Sequence, residues 1–245
     1  MQLKINKLSV GYDKKAVLSE INLQAQPGNF IALIGKNGAG KSTFLKTLSG
    51  ILPALSGKVL LDDIDLSALP AHERARYVSI VLTDRIDISM TVWEFVALGR
   101  QPYTNLLGNI SKRDKQVIDE VGEILKITAF YDRKVTELSD GERQKVLIGR
   151  ALVQETPVLL LDEPTTHLDM ENKAVLINNL LKISKEQNKI IIISTHDINL
   201  ILPKINKIWL TGNTINEKLQ MSDLDDIFQS DLIKYDTTCR VFRLL

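Results

Sequence analysis

The sequence FIALIGKNGAGKST, residues 30–43, joins a short apolar run to a glycine-rich loop. The run at residues 30–34 is apolar throughout, which predicts a strand covered on both faces of a sheet. The loop at residues 35–42 matches Gly-x4-Gly-Lys-Ser/Thr, and a helical stretch follows over residues 42–49. A strand, a glycine-rich loop and a helix in this order are typical of a loop that binds phosphate.

Each residue type in this loop suits a phosphate ligand. Backbone N–H groups can surround phosphate oxygens, and the N-terminus of the following helix adds partial positive charge. The glycines permit close approach, Lys41 would contact the outer phosphates, and the Ser42 hydroxyl would ligate Mg²⁺. The alternative is a glycine-rich turn with Lys41 as a solvated charge. The loop residues predicted to bind nucleotide are Gly35, Lys36, Asn37, Gly38, Ala39, Gly40, Lys41, Ser42 and Thr43.

Two further strands are predicted to end in polar side chains. The apolar run 158–161 leads into Asp162 and Glu163, and the run 190–193 leads into Ser-Thr-His-Asp at 194–197. Open α/β sheets bind ligands at the carboxyl ends of their strands. Asp162 would therefore hold Mg²⁺, directly or through water, and Glu163 would orient and deprotonate an attacking water. His196 would contact the terminal phosphate. The alternative for the two acids is a turn in which they merely face solvent.

The first thirty residues predict strands separated by turns, because apolar and polar positions alternate along them. Tyr12 ends the first alternating stretch and could stack on a nucleobase. The competing interpretation is a partly exposed tyrosine at the end of a strand.

The remainder of the chain predicts a helical insert followed by alternating strands and helices. The insert carries an apolar stripe at helical spacing, Ser111 is a candidate N-cap, and a second helix follows Ser139. The stripe consists of Val117, Ile118, Val121, Ile124 and Leu125. The later strand–helix–strand pattern implies a parallel sheet with crossover helices, so the fold class is α/β. A short acidic helix is predicted near residues 222–228.

Composition excludes several other classes of protein. The 245 residues are 44% apolar and 25% charged, with a formal charge of +1, which argues against a nucleic-acid partner. The longest apolar run, residues 30–34, has five residues, whereas a membrane helix needs roughly 20. Cys239 is the sole cysteine, so neither an intrachain disulfide nor a cysteine-based zinc cluster is expected. The N-terminus lacks the apolar block of a signal peptide, and a cytoplasmic protein is expected.

The segment LSDGERQ, residues 138–144, is predicted to open a helix. Ser139 and Glu142 fit a capping box. The N-terminus of a helix, with Gly141 beside it, is also well suited to bind an anion. Alone, the segment indicates an ordinary helix cap. Together with the phosphate loop, VLLLDEP at 158–164 and the histidine at 196, it resembles the signature motif of ATP-binding-cassette (ABC) ATPases.

The resemblance covers nearly the whole chain and implies ATP and Mg²⁺ as cofactors. It implies a P-loop NTPase core with a mostly parallel sheet, an N-terminal antiparallel β-subdomain and a helical insert. Two copies would enclose ATP, with Ser139, Gly141 and Glu142 contacting the nucleotide held by the partner. Leu168 and Asp169 match the following loop, which gives Asp169 a role in communication across the dimer.

The implied organisation is a single ABC ATPase domain over residues 1–245. Residues 1–84 and 154–220 would form the nucleotide-binding core. Residues 85–153 would form the helical subdomain with the signature motif, and residues 221–245 a C-terminal segment.

The chain departs from the family pattern at two places. Asp140 stands where the signature usually has glycine, and its carboxylate is expected to point away from the terminal phosphate. The family's glutamine after the strand that precedes the insert is also absent, and Leu82 or Thr83 occupies its place. The Thr83 hydroxyl could contact Mg²⁺-bound water, whereas Leu82 could not. This departure concerns coupling to the partner more than ATP binding.

The segment TVWEFVALGRQPY, residues 91–103, resembles the ATPase subunits of importers for iron–siderophore, haem and cobalamin compounds. That resemblance implies integral membrane permease subunits as partners and, indirectly, an extracytoplasmic substrate-binding protein. The chain would then be peripheral, at the cytoplasmic face of the cell membrane. Trp93 and Tyr103 are candidates for the groove that receives a permease helix.

Two other functions remain open from the sequence. One is a soluble cassette ATPase outside transport, such as one serving iron–sulfur cluster assembly. The other is a regulatory module that binds ATP but hydrolyses it weakly, which the absent glutamine and Asp140 motivate.

Overall fold

A computed structural model of the chain describes residues 1–83, 88–104, 108–218, 233–236 and 241–244. The strands are β1 (Leu3–Tyr12), β2 (Lys15–Ala25), β3 (Phe30–Ile34), β4 (Ser56–Leu61), β5 (Ile64–Asp65), β6 (Val78–Val81), β7 (Val158–Asp162), β8 (Ile190–Ser194), β9 (Lys207–Thr211), β10 (Ile215–Lys218), β11 (Ile233–Asp236) and β12 (Val241–Leu244). The helices are α1 (Lys41–Ser49), α2 (Ala71–Arg74), α3 (Val92–Ala97), α4 (Lys112–Leu125), α5 (Asp140–Leu152), α6 (Met170–Glu186) and α7 (Ile198–Ile201). Short 3-10 helices cover Leu98–Tyr103, Thr128–Phe130 and Val135–Glu137.

The central sheet is mostly parallel, as predicted. Within the described residues its order is β10-β9-β3-β8-β7-β6, and only β10 runs antiparallel to its neighbour. Every residue of β3, β7 and β8 is buried, which explains their unbroken apolar runs. The pairing of β7 with β8 sets Asp162 beside Ser194, so these strands end at the same level.

The N-terminal strands form a separate antiparallel sheet with the order β2-β1-β4-β5. The two faces of the central sheet bury different cores, because side chains alternate along each strand. Phe30, Ala32 and Ile34 face the helical insert and α6, whereas Ile31 and Leu33 face the N-terminal sheet and α1. The predicted α/β class with an antiparallel β-subdomain and a helical insert is confirmed.

The helical insert forms the expected capped helices. Ser111 caps α4 in a capping box with Asp114, and Ser139 caps α5 in one with Glu142. The predicted apolar stripe is buried at Val117, Ile118 and Leu125. Ile124, however, is 40% exposed, because α4 packs with a narrower face than the sequence pattern suggests.

Some predicted features lie outside the described residues. They include the boundary at residues 84 and 85, the short helix near 222–228, and Cys239. Of the C-terminal segment 221–245, the structure describes the antiparallel pair β11 and β12. None of the described helices combines the length and apolar composition that a membrane span requires.

A buried ion network fastens the insert to the end of α5. The Arg100 guanidinium is 4% exposed and donates to Asp114 Oδ1 at 2.7 Å, to Glu155 Oε2 at 2.7 Å and to the Val153 carbonyl at 2.6 Å. The guanidinium carbon of Arg100 lies 4.4 Å from the centroid of the Tyr103 ring.

The carboxylate of Asp114 is stabilised by this network. Burial raises the pKa of Asp114, but hydrogen bonds from Ser111 and Arg100 outweigh the effect of burial, so the pKa lies below its ordinary value. Arg100 therefore ties the segment Leu98–Tyr103 to α4 and to the turn before β7.

Replacing Arg100 by leucine is expected to lower the free energy of unfolding by about 3 kcal/mol, because Asp114 would keep a buried charge without its cation. Urea unfolding of the purified protein measures this change. Arg113→Leu is the matched control, since Arg113 also contacts Glu155 but is 58% exposed and should contribute less than about 0.5 kcal/mol. Equal effects of the two substitutions would contradict a structural role for the buried network.

Candidate active site

The glycine-rich loop connects β3 to α1 and is held closely on two sides. Gly40 is the N-cap of α1 with φ +86°, and an added Cβ there would lie 2.8 Å from Val17 Cγ1. An added Cβ on Gly35 would lie 1.6 Å from Thr211 Oγ1. Glycine is therefore required at Gly40 for the backbone angle and the close packing, and at Gly35 for the close packing alone.

Lys41 is buried rather than solvated, which makes the alternative of a solvated charge wrong. Lys41 is only 6% exposed. Its Nζ donates hydrogen bonds to the carbonyl oxygens of Gly35 at 2.9 Å and of Lys36 at 3.1 Å. Burial lowers the pKa of Lys41, although the negative charges of Glu163 and Asp162 oppose that shift. The ammonium group thus contacts its own loop, lies near enough to both acids to feel their charge, and lines the cleft in which an anionic ligand would bind.

A cleft of about 550 Å³ opens above the loop, a size suited to a small-molecule ligand. Tyr12 stands at its edge, 48% exposed, and its hydroxyl accepts a hydrogen bond from Thr43 Oγ1 at 3.5 Å. The described residues that line the cleft are Tyr12, Val17, Asn37, Gly38, Gly40, Lys41, Ser42, Thr43 and Glu163. Tyr12 is therefore a partly exposed tyrosine at the edge of the cleft, and its stacking on a nucleobase stays a prediction.

The two predicted acids lie at the same sheet edge. Asp162 is 3% exposed and its Oδ1 accepts from Ser194 Oγ at 2.5 Å. Glu163 extends toward the cleft, and its Oε1 lies 3.0 Å from His196 Nε2. An adjoining pocket of about 230 Å³ is lined by His196 together with Ile34, Gly35, Lys36, Asn37, Thr195 and Ile198. The acids thus do not simply face solvent, and the structure brings Lys41, Glu163 and His196 together.

The residues predicted to hold Mg²⁺ fit that ion by their chemistry. Ser42 supplies a hydroxyl to the cleft, Asp162 is a buried carboxylate directly before the cleft residue Glu163, and hard cations prefer such oxygen ligands. Among the described residues no group of three or more His, Cys, Asp or Glu side chains could hold a metal. The ion would therefore need oxygen atoms from phosphate as well. Thr83 is exposed just beyond β6, and the half-buried Leu82 continues β6 at the level of Asp162.

The signature segment lies apart from this cleft. Ser139, Gly141 and Glu142 are not among the described residues that line it. The Ser139 hydroxyl and backbone N–H both donate to Glu142 Oε2 at 2.8 Å, at the N-terminus of α5. These hydrogen bonds lower the pKa of Glu142 below its ordinary value. Within one chain, the signature residues therefore form a helix cap that lies outside the lining of the phosphate loop's own cleft.

The Asp140 carboxylate is paired within its own helix. Its Oδ1 accepts from Arg143 Nη1 at 2.8 Å, and Arg143 also donates to the Leu138 carbonyl at 2.9 Å. This pairing supports the expectation that Asp140 is turned away from an approaching phosphate.

Asp169 begins α6 as its N-cap. It accepts from the Asn172 backbone N–H at 2.7 Å and from Asn172 Nδ2 at 2.8 Å, and these hydrogen bonds lower its pKa. Asn172 in turn accepts from Lys145 Nζ at 2.7 Å, which links the start of α6 to the signature helix α5. The predicted role of Asp169 across a dimer stays a prediction.

Three features of the site were not predicted from the sequence. Val17 lines the cleft, although no motif marks it. Asp197 accepts from Thr165 Oγ1 at 2.5 Å and from Lys173 Nζ at 2.8 Å, which braces the turn after His196. Ser194 contacts both acids, and a hydroxyl at the end of an otherwise apolar strand was the signal that could have indicated it.

Comparison with known families gives the phosphate loop and the strand-end acids their context. The profile of the ABC transporter family matches residues 18–166, about three-fifths of the chain. The chain belongs to the ABC transporter family. It is an ABC-type ATP-binding cassette, and the resemblance drawn from its motifs is confirmed.

Several ABC proteins of known sequence are similar over most of their length. An uncharacterized ABC transporter ATP-binding protein from Methanocaldococcus jannaschii is 42% identical over 212 residues, 86% of this chain and 73% of that protein. An iron(3+)-hydroxamate import ATP-binding protein from Bacillus subtilis is 34% identical over 80% of this chain and 74% of its own. A manganese transport system ATP-binding protein from Listeria innocua is 33% identical over 89% of this chain and 88% of its own.

Solved structures agree with the fold. An inward-facing transporter assigned to the metal-chelate type has a TM-score of 0.79 at 25% identity, over 98% of this chain and 94% of its own. A dimeric ATP-binding cassette in a post-hydrolysis state, bound to ADP and phosphate, has a TM-score of 0.78 at 25% identity, over 88% and 97%. The ABC ATPase fold is therefore confirmed for this chain.

Replacing Lys41 by alanine is expected to weaken ATP binding by at least about 100-fold, because its ammonium would make charge-assisted hydrogen bonds to the phosphates in the cleft that it lines. Titration with a fluorescent ATP analogue measures the affinity, and circular dichroism checks the fold. Lys46→Ala is the matched control, since Lys46 lies one turn further along α1 outside the cleft. An unchanged titration for Lys41→Ala would remove this residue from the binding site.

Proposed function

We propose that this ABC ATPase powers an importer for a metal chelate of the iron–siderophore, haem or cobalamin type. One observation carries the catalytic part: Glu163 lies in the same cleft as Lys41 and 3.0 Å from His196. The importer part is supported by the segment 91–103 and by the relatives named for iron-hydroxamate import and metal-chelate transport.

ATP would bind with its base on Tyr12 and its phosphates on the loop at residues 35–43. The N-terminus of α1 provides backbone N–H groups and partial positive charge there. Lys41 would exchange its two loop carbonyl partners for phosphate oxygens, so a buried cation would gain an anion.

Hydrolysis needs a base beside the terminal phosphate, and Glu163 is the candidate. Its carboxylate would orient and deprotonate the attacking water, while His196 would contact the terminal phosphate and hold Glu163 in place. Ser42 and Asp162 would hold Mg²⁺, with Thr83 as a further candidate toward its water. The ion, when bound, would reduce the charge on the phosphates.

Two copies of the chain would complete each site. Ser139, Gly141 and Glu142 lie at the N-terminus of α5, where a helix presents N–H groups and positive potential to an anion. Because these residues lie outside their own chain's cleft, they would contact ATP held by the partner. Asp169, at the start of α6, would communicate between the two sites. The dimeric cassette with bound ADP and phosphate supports this arrangement.

A membrane permease would be the second partner. Tyr103 is 41% exposed beside Arg100, and Trp93 is half-buried on α3, which makes both candidates for the docking groove. The chain would then sit at the cytoplasmic face of the membrane, with residues 85–153 as the helical subdomain that meets the permease. Residues 1–84 and 154–220 would form the nucleotide-binding core, and an extracytoplasmic binding protein would deliver the substrate.

Replacing Glu163 by glutamine is expected to keep ATP affinity within about twofold and to lower kcat by roughly 100-fold or more, since the base is removed without changing the side chain's size. Phosphate release and equilibrium binding measure the two quantities. ATP-bound dimers should accumulate and appear by size-exclusion chromatography with light scattering. Glu171→Gln, on the exposed first turn of α6, is the control that should leave both unchanged. Equal turnover in wild type and Glu163→Gln would remove Glu163 from catalysis.

Tagged protein expressed in its native cells is expected to co-purify in detergent with a multi-span permease. Tyr103→Glu should weaken that capture at least about tenfold, because a charge would enter an aromatic contact. Ile124→Glu, an exposed apolar position elsewhere in the insert, should not. Recovery of active ATPase without any membrane protein would favour the soluble alternative. Stimulation by manganese rather than by chelates would overturn the proposed substrate class.

A further inference from the structure

Ser194 occupies the last position of β8 and has no solvent-exposed surface. Its neighbour in the parallel register is Asp162, the last residue of β7. The other four residues of β8 are isoleucines, so the hydroxyl is the first polar side-chain group that this strand presents at the carboxyl edge of the sheet.

The hydroxyl of Ser194 both donates and accepts a hydrogen bond. It donates to Asp162 Oδ1 at 2.5 Å and accepts from the Glu163 backbone N–H at 3.0 Å. The same N–H also lies 3.1 Å from the Ser194 carbonyl oxygen. One serine therefore contacts two consecutive acids that are predicted to have different tasks.

The backbone of Glu163 needs such support. Its φ is +46°, in the left-handed region that non-glycine residues rarely adopt and that costs free energy unless neighbouring contacts hold it. This conformation follows directly after the extended β7, so it turns the chain where the strand ends. The Glu163 carboxylate then comes within 3.0 Å of His196, two residues beyond Ser194.

We propose that Ser194 is a positioning residue for ATP hydrolysis, which orients the Asp162 carboxylate through its hydroxyl and holds the Glu163 backbone in its left-handed turn. The inference rests on the proposed function of Asp162 and Glu163. With its Oδ1 held by Ser194, the Asp162 carboxylate has one fixed orientation at the end of β7. Because Ser194 has no solvent-exposed surface, it would act through the two acids and not by contacting the nucleotide itself.

Ser194→Ala tests this role, because it removes the hydroxyl and leaves the carbonyl contact to Glu163 in place. We expect kcat to fall about 10-fold to 100-fold, as for the loss of a hydrogen bond to a charged group, with KM for ATP changed less than about twofold. A fluorescent ATP analogue gives a readout independent of turnover. Its affinity in EDTA should match that of wild type, whereas the gain in affinity on adding Mg²⁺ should shrink at least threefold.

Ser184→Ala is the matched control. Ser184 is equally inaccessible to solvent and donates a single hydrogen bond to the Lys189 carbonyl at 3.0 Å, before β8 begins. Its loss should affect thermal stability about as much as that of Ser194 but leave kcat and the Mg²⁺-dependent gain unchanged.

Three outcomes would overturn the positioning role of Ser194. They are a wild-type kcat in Ser194→Ala, an equal loss of affinity with and without Mg²⁺, and an equal loss of kcat in Ser184→Ala. If the wild-type protein bound ATP but did not hydrolyse it, the proposed catalytic function would fail instead. The Mg²⁺-dependent gain would then still report on Ser194 by itself.

Discussion

The parallel pairing of β3, β8 and β7 is the constraint on which the site depends. Three neighbouring strands end at one edge of the sheet, and each continues into a functional segment. The phosphate loop follows β3, Asp162 ends β7 with Glu163 directly after it, and His196 follows β8. Because all three strands are buried on both faces, their ends cannot shift relative to one another without disturbing two cores. Residues far apart in the chain are thereby held within a few ångströms.

Electrostatics explains why this edge suits a nucleotide. Burial lowers the pKa of Lys41, and the charges of Glu163 and Asp162 oppose that shift. In the structure, the Lys41 ammonium donates hydrogen bonds to carbonyl oxygens of its own loop. The N-terminus of α1 lies at the same place. A phosphate would add the anion that this arrangement favours, and Mg²⁺ would reduce the repulsion between that anion and Asp162 and Glu163.

In the proposed dimer, the helical insert would extend the site beyond a single chain. Its signature residues cap α5 away from the cleft, and Arg100 fastens the segment before α4 to the end of that same helix. A link from Lys145 through Asn172 to Asp169 joins α5 to α6. The helix that would contact a partner's nucleotide is thus connected mechanically both to the surface proposed for the permease and to the core. Pairing of Asp140 with Arg143 would reduce the repulsion between the Asp140 carboxylate and a phosphate at such a contact.

The sequence alone determined the phosphate loop, the acid strand end, the α/β class and the family, because these depend on local residue order and on apolar runs that require a buried parallel sheet. It did not determine which side chains meet. The exposure of Ile124, the burial of Lys41, the use of Arg100 and the double contact of Ser194 all arise between segments distant in the chain. The spacing of apolar residues in the sequence shows only which face of a helix or strand is apolar. Strand order and register, which are set by packing, decide what lies opposite.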